Sequence, residues 1–239
     1  MLRFSAAMLE HIRENILVIQ QRIARAREKS AHRTEVTLIA VSKTQPAEAI
    51  RAAYEAGLRH FGENRVQEWE GKREALQDLQ GHWHLIGHLQ SNKAARAAKF
   101  FHSVDSVDDF SLAQRLDKAR GESDIGEKLR VLIEVRVAEE ETKSGVKSNV
   151  LPELLKKMSE LQNLQLAGMM CIPPFLEEAE QVRPYFVLLR EVRDELTSRT
   201  GLELPVLSMG MSHDFEVAIE EGATEVRIGT AIFGSRPKP

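Results

Sequence analysis

The sequence predicts an α/β protein built as a single (β/α)₈ barrel of the TIM type, one domain spanning residues 1–239. Three observations predict it. About eight short apolar runs alternate with helical patterns, 239 residues suit eight such units in one closed sheet, and no linker or low-complexity tract divides the chain. An open doubly wound sheet is the competing architecture, and eight units in this length favour closure.

The chain opens with an amphipathic helix, because Met8, Ile12, Ile16, Ile19 and Ile23 share one face. Val36 to Lys43 is a run of branched apolar residues, read as a buried strand ending in a lysine. Pro46 suits a first helical turn, and that helix is expected to reach Ala56, with Gly57 closing it. A short strand at 60–62 precedes a helix over 66–78. A strand at 83–86 precedes a short helix over 93–98. Phe101 to Val104 reads as a strand leading into a helix over 107–119, with a loop at 121–127. Leu129 to Val137 is the longest strand, and its helix opens near Leu151-Pro152. Leu164 to Met170 is followed by a long helix over 178–199. Pro205 to Leu207 is short and apolar and precedes a helix from Ser212 to Glu221. Thr224 to Ile228 supplies the last strand. Little chain follows Ile228, so the N-terminal helix is expected to cover strand eight, and no C-terminal β domain is expected.

Composition narrows the function classes. The chain is 42% hydrophobic and 29% charged, with a formal net charge of −3, and its basic residues form no aromatic-lined stripe, so nucleic acid is not an expected partner. No run approaches the roughly 20 apolar residues that span a bilayer, and charges interrupt the opening segment, which does not read as a secretory signal. Cys171 is the only cysteine, so no intramolecular disulfide forms. A cytoplasmic protein without a membrane partner is the expectation.

In such barrels the chemistry sits at the C-terminal strand ends, with phosphate held after strands seven and eight. Lys43 stands at the end of strand one, above the inward-facing Ile39 and Val41. Desolvation there favours the neutral amine, which can attack a carbonyl; an ordinary surface lysine is the alternative. After strand seven, Gly210 permits close backbone approach and Ser212 is expected as the N-cap of the next helix. After strand eight, Gly229 and Thr230 offer backbone N–H groups and a hydroxyl. An ordinary cap and an ordinary turn are the alternatives for these two segments. Together with the lysine they point to a ligand carrying an aldehyde at one end and a phosphate at the other. Arg227 shares the inward face with Gly229 and needs an acceptor. A pyridine nitrogen would serve and would stay unprotonated, a poor electron sink. A carboxylate, Glu134 or Glu225, is the structural alternative.

These stretches resemble a known family. AVSKTQP around Lys43, FGENRVQE from Phe61, HLIGHLQSNK from His84, TKSGV from Thr142, LSMGMSHDFEVAI and VRIGTAIFGSR are similar to motifs of the YggS/PROSC family of pyridoxal phosphate homeostasis proteins, from about residue 36 to 236. The resemblance implies a barrel like the N-terminal domain of alanine racemase, fold type III, with pyridoxal 5′-phosphate (PLP) as cofactor. It implies Lys43 as the Schiff-base lysine, Ser212, Gly229 and Thr230 around the phosphate, Arg227 facing the pyridine nitrogen, and Asn64 near the ring. It further implies a monomer that regulates intracellular PLP and amino-acid balance, without established catalytic activity, with PLP-dependent apoenzymes as acceptors. One departure is Arg136, where the family commonly carries asparagine; Glu134 and Arg136 share a face and would pair with each other or with Arg227.

Other residues are discounted. His82, His84 and His88 lie close in sequence, but no cysteine or carboxylate pattern completes a metal site, and none is expected. Cys171 reads as buried and apolar, and His213 as unimportant. A weak amino-acid racemase is the alternative function. Such an enzyme resembles a two-base catalyst with a facing tyrosine, whereas Tyr54 and Tyr185 fall within expected helices. A phosphosugar enzyme using a lysine imine without PLP is a third reading. Lys143, in the loop after strand five, is a candidate relay for PLP leaving Lys43, with a solvated loop lysine as the alternative.

Overall fold

The computed structural model describes residues 6–139 and 144–234. Eight parallel strands close into a barrel in sequence order: β1 (Thr37–Val41), β2 (His60–Glu63), β3 (His82–Leu85), β4 (Ser103–Val107), β5 (Leu129–Glu134), β6 (Leu164–Met170), β7 (Val206–Met211) and β8 (Glu225–Ile228). The closing pair is β1 with β8, in the register Ala40 opposite Ile228. The expected barrel is therefore present.

Helices α2 (Ala47–Glu55), α3 (Val66–Lys72), α4 (Ala94–Phe100), α5 (Phe110–Gly121), α6 (Leu151–Ser159), α7 (Arg183–Thr200) and α8 (Phe215–Glu220) follow the first seven strands. A single-turn helix, α9 (Thr230–Phe233), follows β8. Among the described residues no helix is long and apolar enough to cross a membrane.

The first helix, α1 (Ala6–Lys29), lies across α2, α8 and α9 and covers the flank that the short α9 leaves bare. Its buried face is Ile12, Ile16, Ile19, Ile23 and Ala26, the four isoleucines as read from the sequence, whereas Met8, expected on the same face, is exposed; each isoleucine contributes about 2 kcal/mol of burial. Asn15 Nδ2 donates to the Ile232 carbonyl at 2.9 Å, and Arg22 donates twice to the Glu216 carboxylate at 2.9 and 2.7 Å. These bonds fix the angle at which α1 closes the barrel.

Alternation divides each strand between two environments. Ala40, Phe61, Leu85, Val104 and Ile133 face outward into the layer between barrel and helices. Ile39 and Val41 face inward: a Cβ built on Gly62 would lie 3.1 Å from Ile39 Cγ2, and one on Gly229 would lie 3.3 Å from Val41 Cβ.

Several boundaries differ from the sequence reading. The fourth strand runs Ser103–Val107, not 101–104, and α5 begins at Phe110 because Asp109 caps it, its carboxylate accepting from Leu112 N at 2.8 Å. Strand five stops at Glu134, and Val135 continues only as an isolated bridge to Val146. The seventh strand extends to Met211, and the long helix α7 starts at Arg183 after a 3₁₀ turn at Ala179–Val182.

Candidate functional site

Four neighbouring strand ends, β7, β8, β1 and β2, carry the residues singled out from the sequence. Strand β1 ends at Val41, so Lys43 lies in the turn after the strand and not in its last position. The strand ladder continues through Ser42 N donating to the Gly62 carbonyl at 2.9 Å, and the chain then turns, with Thr44 at a left-handed φ of +64°. A β-branched residue rarely adopts that region. Lys43 is half-buried, beside the close approach of Val41 to Gly229.

The turn after β7 is built differently from the expectation. Ser212 is not the N-cap of α8; Asp214 holds that position. The buried Asp214 carboxylate accepts from Met211 N at 2.6 Å, while Asp214 N donates to the Met211 carbonyl at 3.1 Å. That closed turn consumes residues 211–214 and delays the helix to Phe215. Burial raises the Asp214 carboxyl above its ordinary range, an effect that its bond from Met211 opposes. Ser212 is thereby turned toward β8, where its hydroxyl oxygen lies 3.4 Å from Ala231 N. The two turns read separately from the sequence thus meet: Ser212 on one side, Gly229, the exposed Thr230 and Ala231 on the other. Gly210 has φ +93°, and the close approach it permits is to α8.

Arg227 is buried on the inward face of β8, as expected. Its Nη1 donates to Ser208 Oγ at 2.7 Å and its Nη2 to the Cys171 carbonyl at 2.8 Å. The carboxylate pairing with Glu134 or Glu225 is not what holds it. Two neutral acceptors orient the fork and use two of the five N–H donors that a guanidinium carries. Cys171 is fully buried, and burial pushes its thiol up to about 12, so it is an inert apolar neighbour as read from the sequence.

Asn64, after β2, is half-buried and lines a cavity of about 390 Å³ together with Arg65, Gln67, His88, Gln90 and Lys93. Gly87 makes this turn fit, since a Cβ there would fall 2.5 Å from the Asn64 carbonyl oxygen. On the other side of the mouth, Glu134, Arg136, Ser144 and Ile172 line a cavity of about 250 Å³. Among the described residues Glu134 accepts from Ser144 Oγ at 2.8 Å instead of pairing with Arg136 or Arg227. Burial raises its carboxyl above the ordinary range. Lys143 lies outside the described residues.

Two polar networks escaped the sequence reading. One surrounds the Lys43 turn: the fully buried Glu63 accepts from Ser42 Oγ at 2.7 Å and pairs with Lys72 Nζ at 3.1 Å. The other lies deeper in the barrel. The Asp105 carboxylate accepts from His84 Nδ1 at 3.1 Å, which leaves His84 Nε2 to accept from His60 Nδ1 at 3.0 Å. Arg130 pairs with Glu225 at 2.5 Å and stands 3.8 Å from Asp105. Burial, then the neighbouring His84 and His82, lower His60 to about 4. Full burial would raise Asp105, yet His84 and Arg130 hold its carboxyl below the usual range, while burial and Asp105 push Glu225 up.

His84, Asp105 and Glu225 bring ligand-type atoms within 4.8 Å of one another. The segment around His82, His84 and His88 carries no carboxylate of its own, because the carboxylates arrive from β4 and β8. Arg130 stands among them and supplies the compensating positive charge. The one available signal was alternation, since Ser103, Asp105, Arg130 and Glu225 all occupy inward positions.

The alanine racemase N-terminal domain family matches residues 8–237. The chain is 49% identical over 224 residues to the pyridoxal phosphate homeostasis protein of Aquifex aeolicus, covering 93% of this chain and 97% of that one. This chain belongs to the pyridoxal phosphate homeostasis protein family. Its homeostasis-family relative in Pseudomonas aeruginosa is 47% identical over 94% of this chain and 96% of that one. The structure of PipY from Synechococcus elongatus with PLP bound is 40% identical and superposes with a TM-score of 0.84, covering 93% of this chain and 100% of that chain. An alanine racemase from Clostridium difficile shares the fold alone: it is 14% identical, with a TM-score of 0.73 over 96% of this chain and 58% of that chain.

Proposed function

We propose that this protein holds pyridoxal 5′-phosphate as a Schiff base on Lys43 and that it stores and delivers the cofactor instead of catalysing a reaction with it. The observation that carries this reading is the convergence of four strand ends. The turn after β1 carries Lys43, Val41 just before it packs against Gly229, and the Ser212 hydroxyl meets the Ala231 main chain, with the buried Arg227 on β8, which supports a lysine and an anion cradle sharing one mouth. The PLP named in the PipY structure, a relative with this fold, supports PLP as the ligand.

The donor set suits the group. When bound, PLP supplies an aldehyde for an amine, a dianionic phosphate and a pyridine nitrogen. Lys43 provides the amine. Ser212 and Thr230 offer hydroxyls, and the turn at 229–231 offers main-chain N–H groups for an anion. Arg227, fixed by Ser208 and the Cys171 carbonyl, retains donors for the ring nitrogen, and a guanidinium donor there leaves that nitrogen without a proton of its own. Such a ring withdraws electrons weakly, which suits carriage more than carbanion chemistry. Asn64 flanks the ring from β2. In this reading the chain acts in the cytoplasm as a one-domain monomer, and PLP-dependent apoenzymes are the acceptors.

A second base for racemisation has no tyrosine to supply it here. Tyr54 and Tyr185 lie in α2 and α7, and the Tyr54 hydroxyl accepts from Gln80 N at 3.3 Å, away from the mouth. Purified protein mixed with PLP is expected to gain visible absorbance that borohydride bleaches, and Lys43→Ala is expected to stay colourless. Wild-type protein that remains colourless with PLP overturns the assignment. Exchange of an amino acid's α-proton with solvent deuterium faster than with PLP alone would instead establish the racemase reading.

A further inference from the structure

The turn that carries Lys43 is gripped on both sides by one buried ion cluster. Lys72, the last residue of α3, places its Nζ 2.7 Å from Glu68 Oε1 and 3.1 and 3.3 Å from the two oxygens of Glu63. The same ammonium donates to the Ser42 carbonyl at 3.0 Å, the residue immediately before Lys43. The Ser42 hydroxyl donates to Glu63 at 2.7 Å. On the far side of Lys43, Thr44 N donates to the Glu68 carboxylate. Both residues flanking the lysine are thus tied to β2 or α3, and Lys72 joins the two carboxylates, Glu63 and Glu68, that hold them.

The burial of this cluster needs a reason. The Glu63 side chain is 0% exposed and Lys72 only 13%, and a buried ion pair is weak as a source of stability because desolvation offsets its attraction. Burial raises the Glu63 carboxyl, an effect that Lys72 and Ser42 oppose. Burial acts on Glu68 in the same sense, but its bonds from Lys72 and the Thr44 amide hold that carboxyl below the usual range. Thr44 meanwhile holds a left-handed φ of +64° that only a surrounding structure can impose. A strained residue and a largely buried ion triad adjoin the same side chain, and both restrain the main chain on either side of Lys43.

We propose that Lys72, bridging Glu63 and Glu68, is a positioning residue that locks the main chain on both sides of Lys43 and so aims its amine. This rests on the assignment of Lys43 as the PLP lysine. The lock holds the amine where it meets the aldehyde while the cradle after β7 and β8 holds the anion. Loosening it lets the amine sample directions from which the link is not made, so attachment slows and release speeds up.

The test uses full-length wild type, Lys72→Met, Lys72→Arg and Thr44→Gly. Two quantities are read: the rate of PLP release into excess competing amine, and, in PLP-free protein, the rate and pH profile with which acetic anhydride labels Lys43. Lys72→Met is expected to release PLP at least tenfold faster and to change the Lys43 labelling profile, with the adduct still on Lys43. Lys72→Arg is expected to restore most of the wild-type behaviour. Thr44→Gly, which removes the strain and permits rotation, is expected to accelerate release about threefold without loss of folding. Wild-type release and labelling in Lys72→Met overturn the proposal, as does wild-type release in Thr44→Gly should Lys72→Met fail to fold. An adduct found on another lysine in wild type refutes the assignment of Lys43 itself, and the labelling profile of PLP-free protein then still decides whether Lys72 governs the Lys43 turn.

Discussion

A Cβ at Gly210 would lie 2.6 Å from Ala218 Cβ and 2.9 Å from Phe215 Cα, on a backbone at φ +93°. Both penalties fall on the turn that carries Ser212 to β8. Gly210→Ala is therefore expected to cost at least about 2 kcal/mol, read as a lower urea midpoint, because the strained backbone and the overlap with α8 add; an unchanged midpoint contradicts this. At this scale alternation along β8 correctly puts Arg227 on the inward face, where it is buried, and the turns after β7 and β8 do meet, whereas Lys43, expected as the last residue of β1, falls in the turn beyond Val41. Ser212 resembles a cap in the sequence, but the Asp214 carboxylate closes the turn on Met211 first and Asp214 takes the N-cap position. The Glu63–Lys72 cluster was not legible, because it takes shape only where β2 and α3 meet Ser42 in the turn after β1.

Element boundaries failed where the barrel interior is polar. The sequence reading ended strand four at Val104 because Asp105 and Ser106 break the apolar run, yet both are buried within β4. Asp105 is acceptable there only because His84 from β3 and Arg130 from β5 reach it, an arrangement that no single segment announces. The same cluster yields a prediction. Arg130→Met leaves Asp105 and Glu225 buried without their cation, and a loss of about 3 kcal/mol is expected at neutral pH. Glu225 has the raised carboxyl, so it takes up a proton first as pH falls, and the loss shrinks in acid. Adding Glu225→Gln to Arg130→Met is expected to recover part of the stability at neutral pH, measured by urea unfolding. Equal stability of Arg130→Met and wild type would show that the cation is dispensable.

At the scale of the whole molecule, the closed sheet and the covering role of α1 were legible because length, element count and the isoleucine spacing are global properties. The polar interior gives the molecule a pH response. His60 has a folded value of about 4 against an ordinary 6.5, so between those limits the unfolded chain binds a proton that the folded chain refuses. Stability contributed by His60 therefore rises as pH climbs through that window and is constant above it. A His60→Gln variant is expected to lose this part of the slope between about pH 4 and 6.5 in chemical unfolding; an identical slope in both proteins contradicts it. The account as a whole depends on one amine at the mouth of the barrel. Mass spectrometry of the PLP-loaded, borohydride-reduced and proteolysed protein tests it most directly. A single phosphopyridoxyl modification is expected on the peptide containing Lys43; its presence on any other lysine, or on none, contradicts the assignment.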